Sequence, residues 1–205
     1  MYYYLKTGRN CMSKNNFFAL TSRMKNINRW ALMRNTQAEN LSQHSHEVAV
    51  IAHALVVISN KRFGTTYNAE RAALIGLYHD TPEILTGDMP TPVKYHSHEI
   101  RDAFKSVEKV ATNKLLSMLP ADIQDEYHSL FFAQAEDLPL WQFVKAADKI
   151  SALIKCIEEE KAGNTEFTKA AESLEKLISE MNMPVVNMFV EEFLPAYYLT
   201  LDQLD

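Results

Sequence analysis

Residues 72–80 read Ala-Ala-Leu-Ile-Gly-Leu-Tyr-His-Asp, an apolar run that ends in the adjacent pair His79 and Asp80. The run is typical of a buried helix. A charged side chain at the end of such a helix is unfavourable unless a partner compensates it. Because an imidazole nitrogen and a carboxylate oxygen can both bind one metal ion, the pair indicates a metal site at this helix end.

The rest of the chain predicts an all-α protein. Only five glycines occur in 205 residues, and long stretches rich in Leu, Ala, Glu, Lys and Met favour helices over strands. No segment shows the alternating pattern of a half-buried strand. Ser42 is the predicted cap of one helix, Asn68 caps another over 69–80, and a third covers 141–161, while 85–92 is predicted to be a loop. A chain of this length is most simply one domain.

Composition and charge exclude several classes of protein. The net charge of −5 argues against a protein that binds a nucleic-acid polymer. No run of about 18 apolar residues is present, which predicts no membrane span. Cys11 and Cys156 form no disulfide or metal pattern, which favours a reducing cytoplasm. Residues 1–11 differ in character from the rest of the chain, so we expect an extension of unclear status before a domain over 12–205.

Two further candidate metal ligands, His44 and Asp148, lie far from the pair in sequence. Each has an ordinary alternative: His44 as a capping or surface histidine, His79 as a core histidine, Asp148 in a salt bridge. Asp148 lies in a helix that should be largely buried, where a carboxylate needs a partner. Together, two imidazoles and two carboxylates suit one divalent ion such as Co, Mn or Zn.

Two more acids come after the histidine–aspartate pair. Glu83 lies three residues beyond Asp80, so it faces the same cavity if one helical turn continues, where it can transfer a proton. The alternative is a solvent-facing acid at a helix end. Asp88 lies in the Pro-rich loop, where it can also be a turn residue that bonds the backbone.

Two stretches carry a resemblance to a known family. Residues 39–45 read Glu-Asn-Leu-Ser-Gln-His-Ser, and residues 78–94 read Tyr-His-Asp-Thr-Pro-Glu-Ile-Leu-Thr-Gly-Asp-Met-Pro-Thr-Pro-Val-Lys. They resemble the bacterial HD-domain 5′-deoxynucleotidases of the YfbR type, and the similarity runs from Met12 to near the C-terminus. Met89 stands where a leucine is expected, and Thr81-Pro82 where an Ala-Ser-like pair is expected.

The resemblance implies an HD-domain helical bundle that hydrolyses deoxyribonucleoside 5′-monophosphates and forms a homodimer. It implies one divalent ion, Co, Mn, Zn or similar, with the ligands His44, His79, Asp80 and Asp148. The implied catalytic residues are Glu83, Arg29 and Asp88, with Glu83 transferring a proton and Arg29 orienting the phosphate. Trp30 would lie against the sugar and exclude a 2′-hydroxyl. The implied substrate-binding residues are Arg29, Trp30, His44, Asp80, Asp88, Met89, Pro90, Thr91 and Asp148.

Two other functions stay open at this point. The chain can be an HD hydrolase of another nucleotide, a deoxynucleoside triphosphate or guanosine tetraphosphate, although its short length and the Arg29-Trp30 pair argue against this. It can also be a non-catalytic metal- or nucleotide-binding helical module, against which Glu83 and Asp88 argue. The aromatic pairs Phe131-Phe132 and Tyr197-Tyr198 suggest a partner surface or, equally, a core.

Overall fold

A computed structural model describes residues 15–94 and 96–204, and their regular structure is helical. The prediction about residues 1–11 lies outside the described residues. Within these ranges one isolated antiparallel β-bridge joins Asn28 to Asn40. The α-helices are α1 (Phe17–Thr21), α2 (Leu41–Arg62), α3 (Ala69–Tyr78), α4 (Glu83–Thr86), α5 (Thr91–Lys94), α6 (His98–Leu116), α7 (Gln124–Phe131), α8 (Leu138–Lys161), α9 (Thr168–Glu180) and α10 (Pro184–Glu192). Short 3₁₀ helices are Ser22–Asn26, Ala135–Asp137, Thr165–Phe167, Leu194–Tyr198 and Leu201–Gln203.

Three helices, α2, α3 and α8, pack against one another and form the centre of the molecule. Their buried faces supply Leu55, Ile75 and Ile150, all fully buried in one apolar cluster. Gly76 lets α3 approach α2 closely, because a Cβ atom there would lie 3.0 Å from the Ala49 Cα atom. The predicted metal ligands therefore lie on helices that the core holds together.

The helix starts confirm one predicted cap and correct another. Asn68 Oδ1 accepts a hydrogen bond from the Arg71 backbone N at 2.8 Å, as expected for the cap of α3. The cap of α2 is Asn40 and not Ser42, because Asn40 Oδ1 accepts from the backbone N atoms of Ser42 and Gln43. The Gln43 side chain accepts in return from the Asn40 N, which completes a capping box. His44 consequently lies in the first turn of α2.

The predicted loop over 85–92 is only partly a loop. Helix α4 reaches Thr86, Gly87 turns the chain with a φ of 76°, and α5 begins at Thr91. Helix α8 begins at Leu138, earlier than predicted, because Pro139 in its first turn favours helix initiation.

The aromatic pairs mostly belong to the core. Phe131 and Phe132 pack against buried side chains, and so does Tyr197, whereas Tyr198 is 49% exposed. Among the described residues, no helix is long and apolar enough to cross a membrane.

Candidate functional site

His79 and Asp80 directly follow the last residue of α3. The Nδ1 atom of His79 lies 2.6 Å from the Gly76 carbonyl oxygen, which only accepts hydrogen bonds. In the neutral imidazole Nδ1 therefore carries the hydrogen and the lone pair is on Nε2. This Nε2 atom lies 3.2 Å from Asp80 Oδ2.

Helices α2 and α8 bring the two distant residues to the same place. His44 is fully buried, and its Nε2 atom lies 3.5 Å from Asp80 Oδ2 and 3.2 Å from Asp148 Oδ1. The two imidazole rings are 5.4 Å apart between centroids. Three of the predicted ligands, His44, His79 and Asp80, thus meet at metal-ligand spacing, whereas Asp148 on α8 reaches this group through its contact with His44.

These residues fit a divalent cation. One ligand atom from each of His44, His79 and Asp80 can be chosen so that the three lie within 4.8 Å of one another. The Nε2 atoms of both histidines are buried and make no hydrogen bond to the described residues. These two nitrogen atoms receive no hydrogen bond from this part of the chain and lie near two carboxylates. Imidazole nitrogen and carboxylate oxygen atoms are the ligands that such ions bind.

The charges of the cluster depend on one another. Burial raises the pKa of Asp80, but the positive charge that the rings of His79 and His44 carry when protonated outweighs it and holds the pKa below its ordinary value. For Asp148, burial is again outweighed, by His44 and by Lys149, and its pKa is also lowered. Both carboxylates are therefore ionised at neutral pH. Lys149 Nζ donates to Asp148 Oδ2 at 2.7 Å, so the salt bridge considered as an alternative exists on the oxygen that does not face His44.

Glu83 is buried beside this cluster and is not a solvent-facing acid. The Glu83 N donates to the Asp80 carbonyl oxygen at 2.9 Å, so Pro82 does not prevent the turn that brings the two residues together. Its side chain is 6% exposed, and Oε2 has no hydrogen-bond partner among the described residues. Burial, with Asp80 and Asp88 nearby, raises the pKa of Glu83 to about 9.

Asp88 lies close enough to Arg29 and Asp80 to interact with their charges. Burial raises the pKa of the half-buried Asp88, although Arg29 acts against this effect. Met89 and Pro90 are half-buried, and Thr91 is exposed. Their contact with a substrate stays a prediction.

Arg29 and Trp30 are fixed beside α2 by the β-bridge. The Arg29 N donates to the Glu39 carbonyl oxygen at 2.9 Å, and the Leu41 N donates to the Ile27 carbonyl oxygen at 3.0 Å. The Arg29 side chain is 11% exposed, and its Nη1 atom lies 3.6 Å from Asp80 Oδ2. Burial lowers the pKa of Arg29, but Glu39 and the acids of the cluster outweigh it, so that the guanidinium is charged and its pKa raised.

Trp30 has an unusual backbone conformation. Its φ is 58°, in the left-handed region that few non-glycine residues adopt. The Trp30 carbonyl oxygen accepts from the Met33 N at 2.9 Å, and its ring lies against Phe167 with centroids 5.2 Å apart. The surrounding contacts therefore hold a strained conformation next to Arg29.

Sequence reasoning gives no role to two residues that organise the site. Glu39 Oε2 accepts hydrogen bonds from both Arg29 Nε at 3.1 Å and Trp30 Nε1 at 2.9 Å. The β-bridge brings these side chains together, and no sequence spacing of helix or strand residues predicts the contact. Ser151 Oγ lies 3.0 Å from His44 Nδ1. Its position three residues after Asp148, on the same face of α8, is the signal that could have identified it.

The chain is similar to known proteins in sequence and in fold. The family model described as 5′-deoxynucleotidase YfbR-like matches residues 16–197. A 5′-deoxynucleotidase of Vibrio vulnificus is 46% identical over 193 residues, which are 94% of this chain and 100% of that protein. An HD-domain phosphohydrolase of Listeria innocua superimposes with a TM-score of 0.76 at 27% identity, over 89% of this chain and 88% of the other.

A more distant structure shares the fold. The HD phosphohydrolase of cyanophage S-2L, bound to dA and one catalytic Zn²⁺ ion, superimposes with a TM-score of 0.63. It is 17% identical, and the match covers 89% of this chain and 96% of the phage protein. The all-α HD-domain bundle predicted from sequence is therefore confirmed.

Proposed function

The chain belongs to the YfbR-like family of 5′-deoxynucleotidases, and from that premise we propose how its side chains remove phosphate from a deoxyribonucleoside 5′-monophosphate. The reaction is the metal-dependent hydrolysis of a phosphoric monoester, and its products are a deoxyribonucleoside and phosphate. The observation that carries the assignment of residues is the short distance between Arg29 and Asp80. It places a guanidinium, which can bind phosphate, next to the candidate metal ligands.

Four side chains are proposed to hold one divalent ion, Co, Mn, Zn or similar: His44, His79, Asp80 and Asp148. Their support is the convergence of two buried Nε2 atoms and two ionised carboxylates. An ion held there would supply Lewis-acid chemistry: it would lower the pKa of a water and offset negative charge on the phosphate.

Arg29 is proposed to orient the phosphate. Glu39 binds its Nε atom, which fixes the plane of the guanidinium, and the Nη1 atom is directed toward Asp80. A guanidinium fixed in this way can bind two phosphate oxygens at once. It also stabilises the additional negative charge that develops on these oxygens as the 5′-oxygen leaves.

Trp30 is proposed to lie against the sugar and to leave no space for a 2′-hydroxyl. Its indole is held on two sides, by the hydrogen bond to Glu39 and by the ring of Phe167. A rigid indole discriminates between deoxyribose and ribose by shape better than a mobile side chain does. Discrimination by shape alone is usually modest.

Glu83 is proposed to transfer the proton, assisted by Asp88. With a pKa of about 9, Glu83 holds a proton at neutral pH in the metal-free protein, next to the cluster. We assign it the donation of this proton to the leaving 5′-oxygen. Asp88, Met89, Pro90 and Thr91 are proposed to contact the substrate, together with His44, Asp80 and Asp148.

We also propose an oligomeric state, a cellular compartment and a class of substrate. A homodimer is expected from the family resemblance, and size-exclusion chromatography with light scattering tests it. Cys156 is a buried free thiol, which supports a place in the reducing cytoplasm. The acidic chain suits a small anionic substrate held by local cations, and not a nucleic-acid polymer.

Phosphate release from a panel of nucleotides tests the proposal. The metal-free protein is given Co²⁺ or Mn²⁺, then deoxyribo- and ribonucleoside 5′-monophosphates, deoxynucleoside triphosphates and guanosine tetraphosphate. We expect release only from the monophosphates, faster with deoxyribose. Equal rates on the two sugars would contradict the role of Trp30, and no release from any monophosphate with metal bound would contradict the activity.

A further inference from the structure

The two histidines of the cluster are held by different partners. The Nδ1 atom of His79 faces a backbone carbonyl oxygen, which fixes the hydrogen on Nδ1 whatever the neighbouring side chains do. The Nδ1 atom of His44 instead faces the Ser151 hydroxyl at 3.0 Å. A hydroxyl can donate or accept, so this contact alone leaves the tautomer of His44 undecided.

A third side chain removes this freedom. Ser151 Oγ donates to Glu47 Oε2 at 2.6 Å, a length typical of a hydroxyl bonded to an ionised carboxylate. A hydroxyl has one hydrogen, so a serine that donates to Glu47 can only accept from His44. The neutral ring of His44 must then carry its hydrogen on Nδ1, and its lone pair is on the buried Nε2 atom between Asp80 and Asp148.

We propose that Glu47 and Ser151 are positioning residues that hold His44 in the tautomer able to bind a metal ion. The inference rests on the proposed function, in which His44 Nε2 is a ligand. Hydrogen-bond partners behind a metal-bound histidine fix the orientation of its ring in this way, and their loss typically reduces metal affinity about 10- to 100-fold.

The position of Glu47 supports this role. It lies on α2 three residues after His44 and lines an open groove of about 450 Å³ together with Glu39, His46 and Glu158. The carboxylate is therefore in contact with solvent on one side and with the buried serine on the other. Ser151 is fully buried, so within the described residues its hydroxyl is enclosed between His44 and Glu47.

Two variants and a matched control test the proposal. Ser151→Ala breaks the chain of hydrogen bonds. Glu47→Gln weakens it, because a carboxamide can also donate to the serine and so permits the opposite tautomer. Ser45→Ala is the control, since Ser45 is equally buried beside His44 on α2 and its Oγ has no hydrogen-bond partner among the described residues.

The first readout is the affinity of the metal-free protein for Co²⁺, measured by calorimetry. We expect a loss of about 10- to 100-fold for Ser151→Ala, a smaller loss for Glu47→Gln and no loss for Ser45→Ala. Equal affinities for Ser151→Ala and Ser45→Ala would overturn the proposal. If Ser151→Ala does not fold, equal affinities for Glu47→Gln and the wild type would do so.

The second readout is the ¹⁵N NMR spectrum of the His44 ring in the metal-free protein, recorded above the pKa of about 7 to which burial raises Glu47. We expect the hydrogen on Nδ1 in the wild type, and both tautomers in Ser151→Ala. A hydrogen on Nε2 in the wild type would overturn the proposal. This readout does not depend on turnover, so a wild type that releases no phosphate would reject the proposed function and leave the tautomer result intact.

Discussion

At the scale of the residue, the positions of Arg29 and Trp30 depend on Glu39. A single carboxylate oxygen accepts from Arg29 and from Trp30, so one residue sets the position of both. The sequence offers no direct sign of this, because Glu39 is ten residues from Arg29 and the contact exists only through the β-bridge.

The first prediction concerns Glu39→Gln. The neutral amide cannot hold two donors on one charged oxygen, so Arg29 and Trp30 should both become mobile. We expect kcat/KM for deoxyribonucleoside 5′-monophosphates to fall about 10-fold or more, as for the loss of hydrogen bonds to a charged group, and the preference for deoxyribose to fall with it. Kinetics on matched deoxyribo- and ribonucleotides measure both. Glu158→Gln, an acid of the neighbouring groove, is the control.

The second prediction concerns Arg29→Lys, which keeps the charge and removes the planar pair of donors. A lysine cannot bind two phosphate oxygens in the fixed geometry of a guanidinium. We expect a fall in kcat/KM of about 10- to 100-fold with metal affinity unchanged. A variant as active as the wild type would show that positive charge alone is sufficient at this position.

At the scale of the element, the sequence indicates the helices better than the short segments between them. The cap of α3 and the apolar faces of α2 and α8 are local patterns, so they are predictable. The predicted start of α2 is misplaced because Asn40 forms its capping box before Ser42. The two short helices that overlap the ends of 85–92 escape prediction because Pro90 and Gly87 indicate a loop, whereas α4 and α5 are too short to produce a pattern.

The candidate site divides in the same way. His79 and Asp80 are evident as a pair, and Glu83 comes from one further helical turn. His44 and Asp148 are identified as candidate metal ligands only from the order of the four residues and from the family resemblance. Ser151 and Glu47 require a contact between α2 and α8 that no local pattern specifies.

The third prediction belongs to the contact between α2 and α3. In Gly76→Ala the new Cβ atom would lie 3.0 Å from the Ala49 Cα atom, so the two helices must separate and carry His79 away from His44. We expect a loss of stability of about 1–3 kcal/mol and weaker metal binding. Chemical denaturation and calorimetry measure them. Leu77→Ala, at a position 42% exposed on the same helix, should change both much less.

At the scale of the whole molecule, buried acids make the metal-free protein sensitive to pH. The folded-state pKa of Glu83 is about 9 against an ordinary 4.5, and that of Glu47 is about 7. Between these limits the unfolded chain releases the proton while the folded chain keeps it. The contribution of these two acids to the free energy of unfolding is therefore fully present near pH 4.5. It is lost as the pH rises through the folded-state pKa of each acid.

The fourth prediction concerns this pH dependence. The free energy of unfolding of the metal-free protein should fall from about pH 5 to about pH 9, by at most about 1.4 kcal/mol per pH unit for each such group. Glu83→Gln removes the largest contribution, so its stability should depend less on pH. Urea denaturation across the range measures the two slopes. Parallel slopes would contradict the burial of an uncompensated acid at Glu83.

The measurement that tests the central claim most directly is anomalous X-ray diffraction from crystals grown with Co²⁺. We predict one ion bound by the Nε2 atoms of His44 and His79 and by the carboxylates of Asp80 and Asp148. An ion bound elsewhere, or a cluster in which Asp148 stays with Lys149 and does not reach the metal, would contradict it.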